Sequence, residues 1–345
     1  TVSKHPGTGG LISVGTITAQ LLYEIKAPAY YNPDVIAHFD TMKIEQTGED
    51  RVRVTGTRGS SPPPTHKVCV NSLGAHKQSF EVLLTGLDIE KKAEIYVDQI
   101  FHNLGGIEQF DDVDVQLIRS DKENPETNEE AHAALRITVT ASDPTKLGRL
   151  MQAQITELAL AAIPGNTGRG AAGYNGDRVI AYWPTVIDSK RVTETVHFEG
   201  QSIDVLPTQR LGLEEMYYQK EPVSIAQAPS GDTTIIPFGR LYGTRSGDKG
   251  GAANCGVWAK TDEAYSFLFE FLTIEKFKEL APDMAQYKIE RFEMPNLRAL
   301  NFYIHDVLGE GVSSNHRIDG QAKSLGEYLR AKHIEAPTFL VDQIQ

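Results

Sequence analysis

Cysteine is almost missing from this 345-residue chain: Cys69 and Cys255 stand alone, without the paired spacing that holds zinc. Two isolated thiols in so long a chain point to a reducing compartment such as the cytoplasm rather than to a disulfide framework. No apolar run approaches the length of a membrane span, and no signal-peptide pattern opens the sequence. Blocks of lysine and arginine are absent, and the net charge is −12, so a nucleic-acid backbone would be repelled. No short-period repeat is present, and no strong triad or metal set stands out in the sequence. What remains is an ordinary globular composition, 40% hydrophobic and 23% charged, long enough for two domains with a generous core.

Glycine is where the chain is distinctive. In Leu241–Ala259, two apolar-alternating runs flank a loop containing Arg245, Ser246, Gly247, Asp248, Lys249, Gly250, Gly251 and Asn254. Glycines free the backbone to turn, so successive N–H groups can face one concavity and hold an anion, with Arg245 and Lys249 adding charge. The competing reading is a salt-bridged hairpin turn in which Asp248 neutralises its neighbours. A second loop, Thr1–Gly10, sets Lys4, His5 and Thr8 among Gly7, Gly9 and Gly10. It feeds a helix with Leu11, Val14, Thr18, Leu21, Leu22 and Ile25 at helical spacing, ended by Pro28. A helix start favours anions through its free N–H groups and dipole; close packing of the loop on a sheet is the alternative. The lysine precedes the glycines, so this is not a Walker motif. A third stretch, Gly165–Gly173, reads either as a lid or as a linkage.

Elsewhere the patterning is regular. Short strands are expected at Val35–Phe39, Met42–Glu45 and Arg51–Thr55, before the proline-stiffened connector Ser60–Thr65. Cys69, on a strand from His66, reads as a small core residue rather than a nucleophile. Residues 79–188 give strand Ser79–Thr85, a helix capped by Asp88, strands Val113–Ile118 and Ala134–Thr140, a helix opened by Asp143-Pro144 and running to Ala162, and strand Val179–Pro184. That order is a split ferredoxin-like βαββαβ unit. Residues 201–232 read as a linker with a short turn at Leu213–Tyr217. From 233 onward, strands around the Lys249 loop, an Asp262-capped helix, a second helix to Leu280, further strands at 287–294 and 299–308 and a helix at Gln321–Ala331 give a second, small ferredoxin-like domain. The predicted class is therefore α+β, with domains at 1–200 and 233–345.

The segments Lys4–Ile25, Asp34–Phe39, Leu83–Asp88 and Ser246–Asn254 resemble the acyclic terpene utilisation (AtuA-type) family, and the similarity spans nearly the whole chain. The resemblance implies that a long α/β region precedes Lys-His-Pro-Gly-Thr-Gly-Gly and that a ferredoxin-like module carries Ser-Gly-Asp-Lys-Gly. The upstream region, or a partner chain, would then complete a shared site. It also implies breakdown of citronellol- and geraniol-type compounds through acids handled as CoA thioesters, with no cofactor beyond a CoA thioester substrate. A hydratase or lyase acting on a branched acyl-CoA fits that setting. Lys249 and Arg245 would anchor the anion, Asn254 and loop amides would donate to an oxyanion, His5 would act as general base, and Asp248 would join the catalytic set. Two other readings stand beside it. One is a non-catalytic subunit of a homo-oligomer, its glycine loops serving close packing. The other is an N-terminal nucleophile, if processing exposes Thr1.

Overall fold

The computed structural model describes residues 1–161, 163–169, 176–205 and 225–344. Contacts gather them into two compact units, 1–70 with 182–345, and 71–181. This grouping crosses the sequential boundaries expected above, and the reason lies in the helix Val14–Glu24.

In the first unit the central sheet runs Tyr242–Lys249, Ala252–Ala259, Ala299–Ile304, Ile289–Met294, each neighbour antiparallel. Alternation along these strands makes two faces. Cys255, Val257, Leu300 and Phe302 join one core with Leu268, Phe277 and Leu329 from the helices Asp262–Phe271, Ile274–Leu280 and Leu325–Ala331. The Phe277 and Phe302 rings stack there at 4.6 Å. The opposite face, through Trp258 and Ala299, meets Leu22, Ile25, Phe39 and Met42. The N-terminal helix therefore covers the sheet face that the C-terminal helices leave open. It starts with a capping box in which Ser13 and Thr16 bond reciprocally. Gly256 allows the close approach, since a Cβ there would lie 2.6 Å from Leu22 Cβ.

Smaller sheets complete this unit. Val2–Ser3 pairs with Arg51–Thr55, which pairs with Lys43–Gly48; Ala29–Tyr31, Ile36–His38 and Arg58–Ser60 form another sheet. Gln201–Val205 is a strand paired with Glu194–Phe198, so the expected linker begins as sheet; the turn at 213–217 lies outside the described residues. Thr261, not Asp262, caps its helix by accepting from Ala264 N, while Asp262 pairs with Arg298. Cys255 is fully buried, which pushes its thiol up to about 12. Cys69 is exposed, with Sγ 3.4 Å from Tyr182 Oη, and so is not the core residue expected. The early part of its strand, around residues 69–73, has neither face covered.

The second unit takes in the long strand Thr65–Thr85 from residue 71. Its sheet runs Asn166–Arg169, Thr65–Thr85, His132–Ala141, Asp112–Ile118, with Asp177–Asp188 also paired to the long strand. Phe80, Val82, Leu84, Ile137 and Val139 pack with Ile89, Tyr96, Ile100, Met151 and Leu158 of the helices Ile89–Asn103 and Arg149–Ala159. Asn166–Arg169 pairs with Glu81–Leu84, so the start of the expected lid is fixed sheet; 170–175 lie outside the described residues. Asp88 sits at φ 56° and makes no side-chain cap. Asp143 caps a short 3-10 turn, Pro144–Lys146, and the helix proper starts at Arg149. No described helix is long and apolar enough to cross a membrane.

Candidate functional site

The Ser246–Asn254 segment is a hairpin, not a nest. Tyr242–Lys249 is laddered to Ala252–Ala259 in continuous register, from Tyr242↔Ala259 to Lys249↔Ala252. Gly250-Gly251 forms a two-residue turn with φ +72° at Gly250, as hairpin turns of type II′ require at that position.

Most residues of the motif serve packing. Ser246 Oγ accepts from Gly326 N at 2.9 Å, at the start of the helix Leu325–Ala331. Gly247 lies against Tyr23, and an added Cβ would fall 2.3 Å from the ring. Gly250 meets the Tyr182 ring in the same way, and Gly251 approaches the carbonyl of Gly309. Asn254 is fully buried, and its amide donates to Leu22 O (2.6 Å), Ile25 O (3.3 Å) and Asn301 Oδ1 (3.3 Å). Asn301 donates in turn to Ile25 O and Lys26 O. The two asparagines bracket the carbonyl end of the N-terminal helix, where orphan acceptors need donors. Asn254 thus has no hydrogen left for an oxyanion, which corrects its expected role. Arg245 is exposed and stacks on Tyr23, its guanidinium 4.6 Å from the ring centre.

Asp248 and Lys249 face elsewhere, into a cleft of ≈ 1120 Å³. Its wall includes Lys26, Tyr30, Tyr31, His66, Lys67 and Tyr303. Lys249 Nζ donates to the carbonyl oxygen of Asp248 at 2.9 Å and lies 4.6 Å over Tyr23. Burial holds its ammonium below the ordinary value of 10.5; Asp248 and Glu24 oppose that shift and Lys67 adds to it. Lys26 lies 4.5 Å over the Tyr303 ring and pairs with Glu290 at 3.3 Å. Tyr182, packed on Gly250, has its phenol pushed up by burial and then by the Cys69 contact, against the pull of Lys67.

The first glycine loop does not share this cleft. Lys4 Nζ is tied to Thr8 O (3.1 Å), Gly10 O (2.9 Å) and Asp50 (3.0 Å), so the loop winds around its own lysine. Asp50 also accepts from Ile12 N, and that bond, with Lys4, holds its carboxyl below the usual range. Gln46 Oε1 accepts from Val14 N and Ser13 Oγ from Thr16 N, so these two donors at the helix start already have partners. His5, Gly7, Gly9 and Gly10 are exposed, with nothing near a Cβ added at any of the three glycines. Thr8 donates to His5 O. This loop adjoins the start of the helix Val14–Glu24, whereas Lys249 lies by Tyr23 and Glu24 at its end. The 11-residue helix separates them by about 16 Å of rise. The two glycine stretches are therefore not halves of one site. His66, Lys67, Tyr23, Tyr182 and Tyr303 are the residues sequence reading missed; only His66-Lys67, following a proline run, carried a local hint of a loop-borne site.

The family model for the acyclic terpene utilisation family protein AtuA matches residues 1–198, more than half of the chain. The chain belongs to the AtuA family. The model for the AtuA ferredoxin-like domain matches residues 236–335, so the four-stranded sheet with Lys249 at its hairpin is that domain, in a mixed α+β chain. No curated protein and no solved structure matches this chain. In this AtuA-family chain the cleft joins residues from both matched segments, Lys26, His66 and Lys67 from the first and Asp248, Lys249 and Tyr303 from the second.

Proposed function

We propose that the cleft binds the CoA thioester of a branched acyclic acid and that the chain acts on it as a hydratase or lyase. The observation that carries this reading is the gathering of Lys26, Lys67 and Lys249 at one cleft in a chain of net charge −12. Tyr30, Tyr31, Pro33, Pro63, Pro184 and Val186 supply the less polar wall. An anionic head with an apolar branched tail matches that division, and the volume suits a ligand larger than most drug-sized molecules. Lys249 pairs with the anion or the thioester oxygen, and Asp248 beside it accepts a proton.

The pH dependence tests the assignment. The ammonium form of Lys249 binds the anion, and burial lowers its pKa. Affinity for 3-methylbut-2-enoyl-CoA, measured by calorimetry, should therefore decline as pH rises through a value below 10.5. An affinity that stays flat up to the ordinary lysine range would remove Lys249 from the site.

A second reading, assembly with another copy or with an upstream region, has its own observation. On the hairpin Glu194–Phe198/Gln201–Val205, pairing puts Val196, Phe198, Ile203 and Val205 on one face, all exposed, and Thr195, His197, Ser202 and Asp204 on the other. Isolated two-stranded hairpins are marginal in water. If this face joins copies, Phe198→Ser should convert an oligomer to a monomer in light scattering; a wild-type monomer at tens of micromolar contradicts the reading. We also read residues 79–188 as a split βαββαβ unit; the sheet order, in which Asn166–Arg169 and His132–Ala141 flank the first strand, supports that reading with Asn166–Arg169, rather than the expected Val179–Pro184, as the closing strand.

A further inference from the structure

We propose that Lys249 is an imine-forming nucleophile whose amine condenses with the carbonyl of a branched acyclic ketone or aldehyde held in the cleft. The inference rests on the reading of that cleft as the ligand site and adds a ketone or aldehyde carbonyl to the substrate, since a thioester carbonyl does not give an imine. Lys249 reaches the cleft wall from the last position of its strand, fixed by the hairpin turn and by the close fit of Gly250 and Gly251 against Tyr182 and Gly309. Its hydrogen bond to Asp248 O at 2.9 Å uses an N–H and leaves the lone pair of a neutral amine unengaged. The surroundings divide. Burial, the largest influence, and Lys67 favour the amine, the Tyr23 face and the carboxylates of Asp248 and Glu24 favour the ammonium, and the net shift is downward from 10.5, so a larger share of amine is present than for an exposed lysine. A lysine that is desolvated and placed beside a second cation is the arrangement that activates amines toward carbonyls.

In the step itself, the nitrogen lone pair forms a C–N bond to the carbonyl carbon, and the C–O π pair moves to oxygen. That oxygen takes the proton which nitrogen sheds, giving a carbinolamine. The C–O bond then breaks, and the hydroxyl leaves as water with one proton from solvent, so the product is a protonated imine. The imine withdraws electrons from the adjacent carbon, which loosens its C–H and C–C bonds. That favours carbon–carbon lyase chemistry over hydration.

Borohydride reduction of the full chain with 6-methylhept-5-en-2-one should give one adduct, on the peptide containing Lys249, with a mass gain equal to the ketone less one oxygen atom. Lys249→Arg should abolish the adduct, whereas Lys4→Ala, at the far end of the N-terminal helix, should leave its yield undiminished. Lys67→Met, which removes the cation that assists deprotonation, should move the pH profile of trapping upward. Adducts spread over surface lysines, or an undiminished yield in Lys249→Arg, would overturn the proposal. No adduct with acyl-CoA binding intact overturns the imine alone; no adduct and no acyl-CoA binding overturns the cleft reading as well.

Discussion

Replacing Asn254 with alanine should cost the fold about 3 kcal/mol, since each buried carbonyl left without a donor costs ~1–3 kcal/mol. Two such carbonyls, Leu22 O and Ile25 O, receive Asn254 directly, and Asn301 still reaches only the second of them. The loss falls on the contact between the N-terminal helix and the central sheet, so it should be local first and global later. Hydrogen exchange would show protection in Val14–Glu24 dropping before the denaturant midpoint of the sheet has moved far. Because Tyr23 lies on that helix and against Lys249, ligand binding should weaken in parallel. Unchanged protection in the helix would mean that the asparagine bracket is incidental.

Lys249→Met should weaken binding of 3-methylbut-2-enoyl-CoA by about 10- to 100-fold, the worth of one hydrogen bond to a charged group in a partly desolvated site. Methionine keeps an apolar stem over Tyr23, so the variant should stay folded and the loss should report charge rather than collapse. Lys4→Ala and His5→Ala act as controls. They lie at the far end of the helix, with Lys4 already committed to Asp50 and the loop carbonyls, and should leave the affinity within twofold, about 0.4 kcal/mol. Arg245→Ala should have an intermediate effect through its stacking on Tyr23. Equal losses in Lys249→Met and His5→Ala would restore the site expected from the glycine loops.

The regular elements were legible because their signals are local. Phe80, Val82 and Leu84 alternate, and Ile89, Ala93, Tyr96 and Ile100 recur at helical spacing; all of them are buried. Caps were less legible: Asp88, Asp143 and Asp262 each begin a helix-like pattern, but backbone φ and neighbouring residues decide which one accepts a hydrogen bond. The site was half legible. Asp248 and Lys249 were singled out for charge in a glycine-rich setting, and they do line the cleft. The glycines themselves were read as backbone donors, whereas Gly247, Gly250 and Gly251 make room for Tyr23, Tyr182 and Gly309. That partner lies more than 200 residues away for Gly247, and nothing local in a sequence reports so distant a contact. Asn254 misled for the same reason: an amide in a polar motif resembles a ligand donor until its helix is in place.

The account stands on the cleft at Lys249, rather than either glycine stretch, being where ligand binds. A crystal structure of the chain soaked with 3-methylbut-2-enoyl-CoA tests this most directly. The thioester or phosphate groups should appear beside Lys249, within the cleft that Lys67 and Tyr303 also line. Density at the Lys4–Gly10 loop with an empty cleft would contradict it.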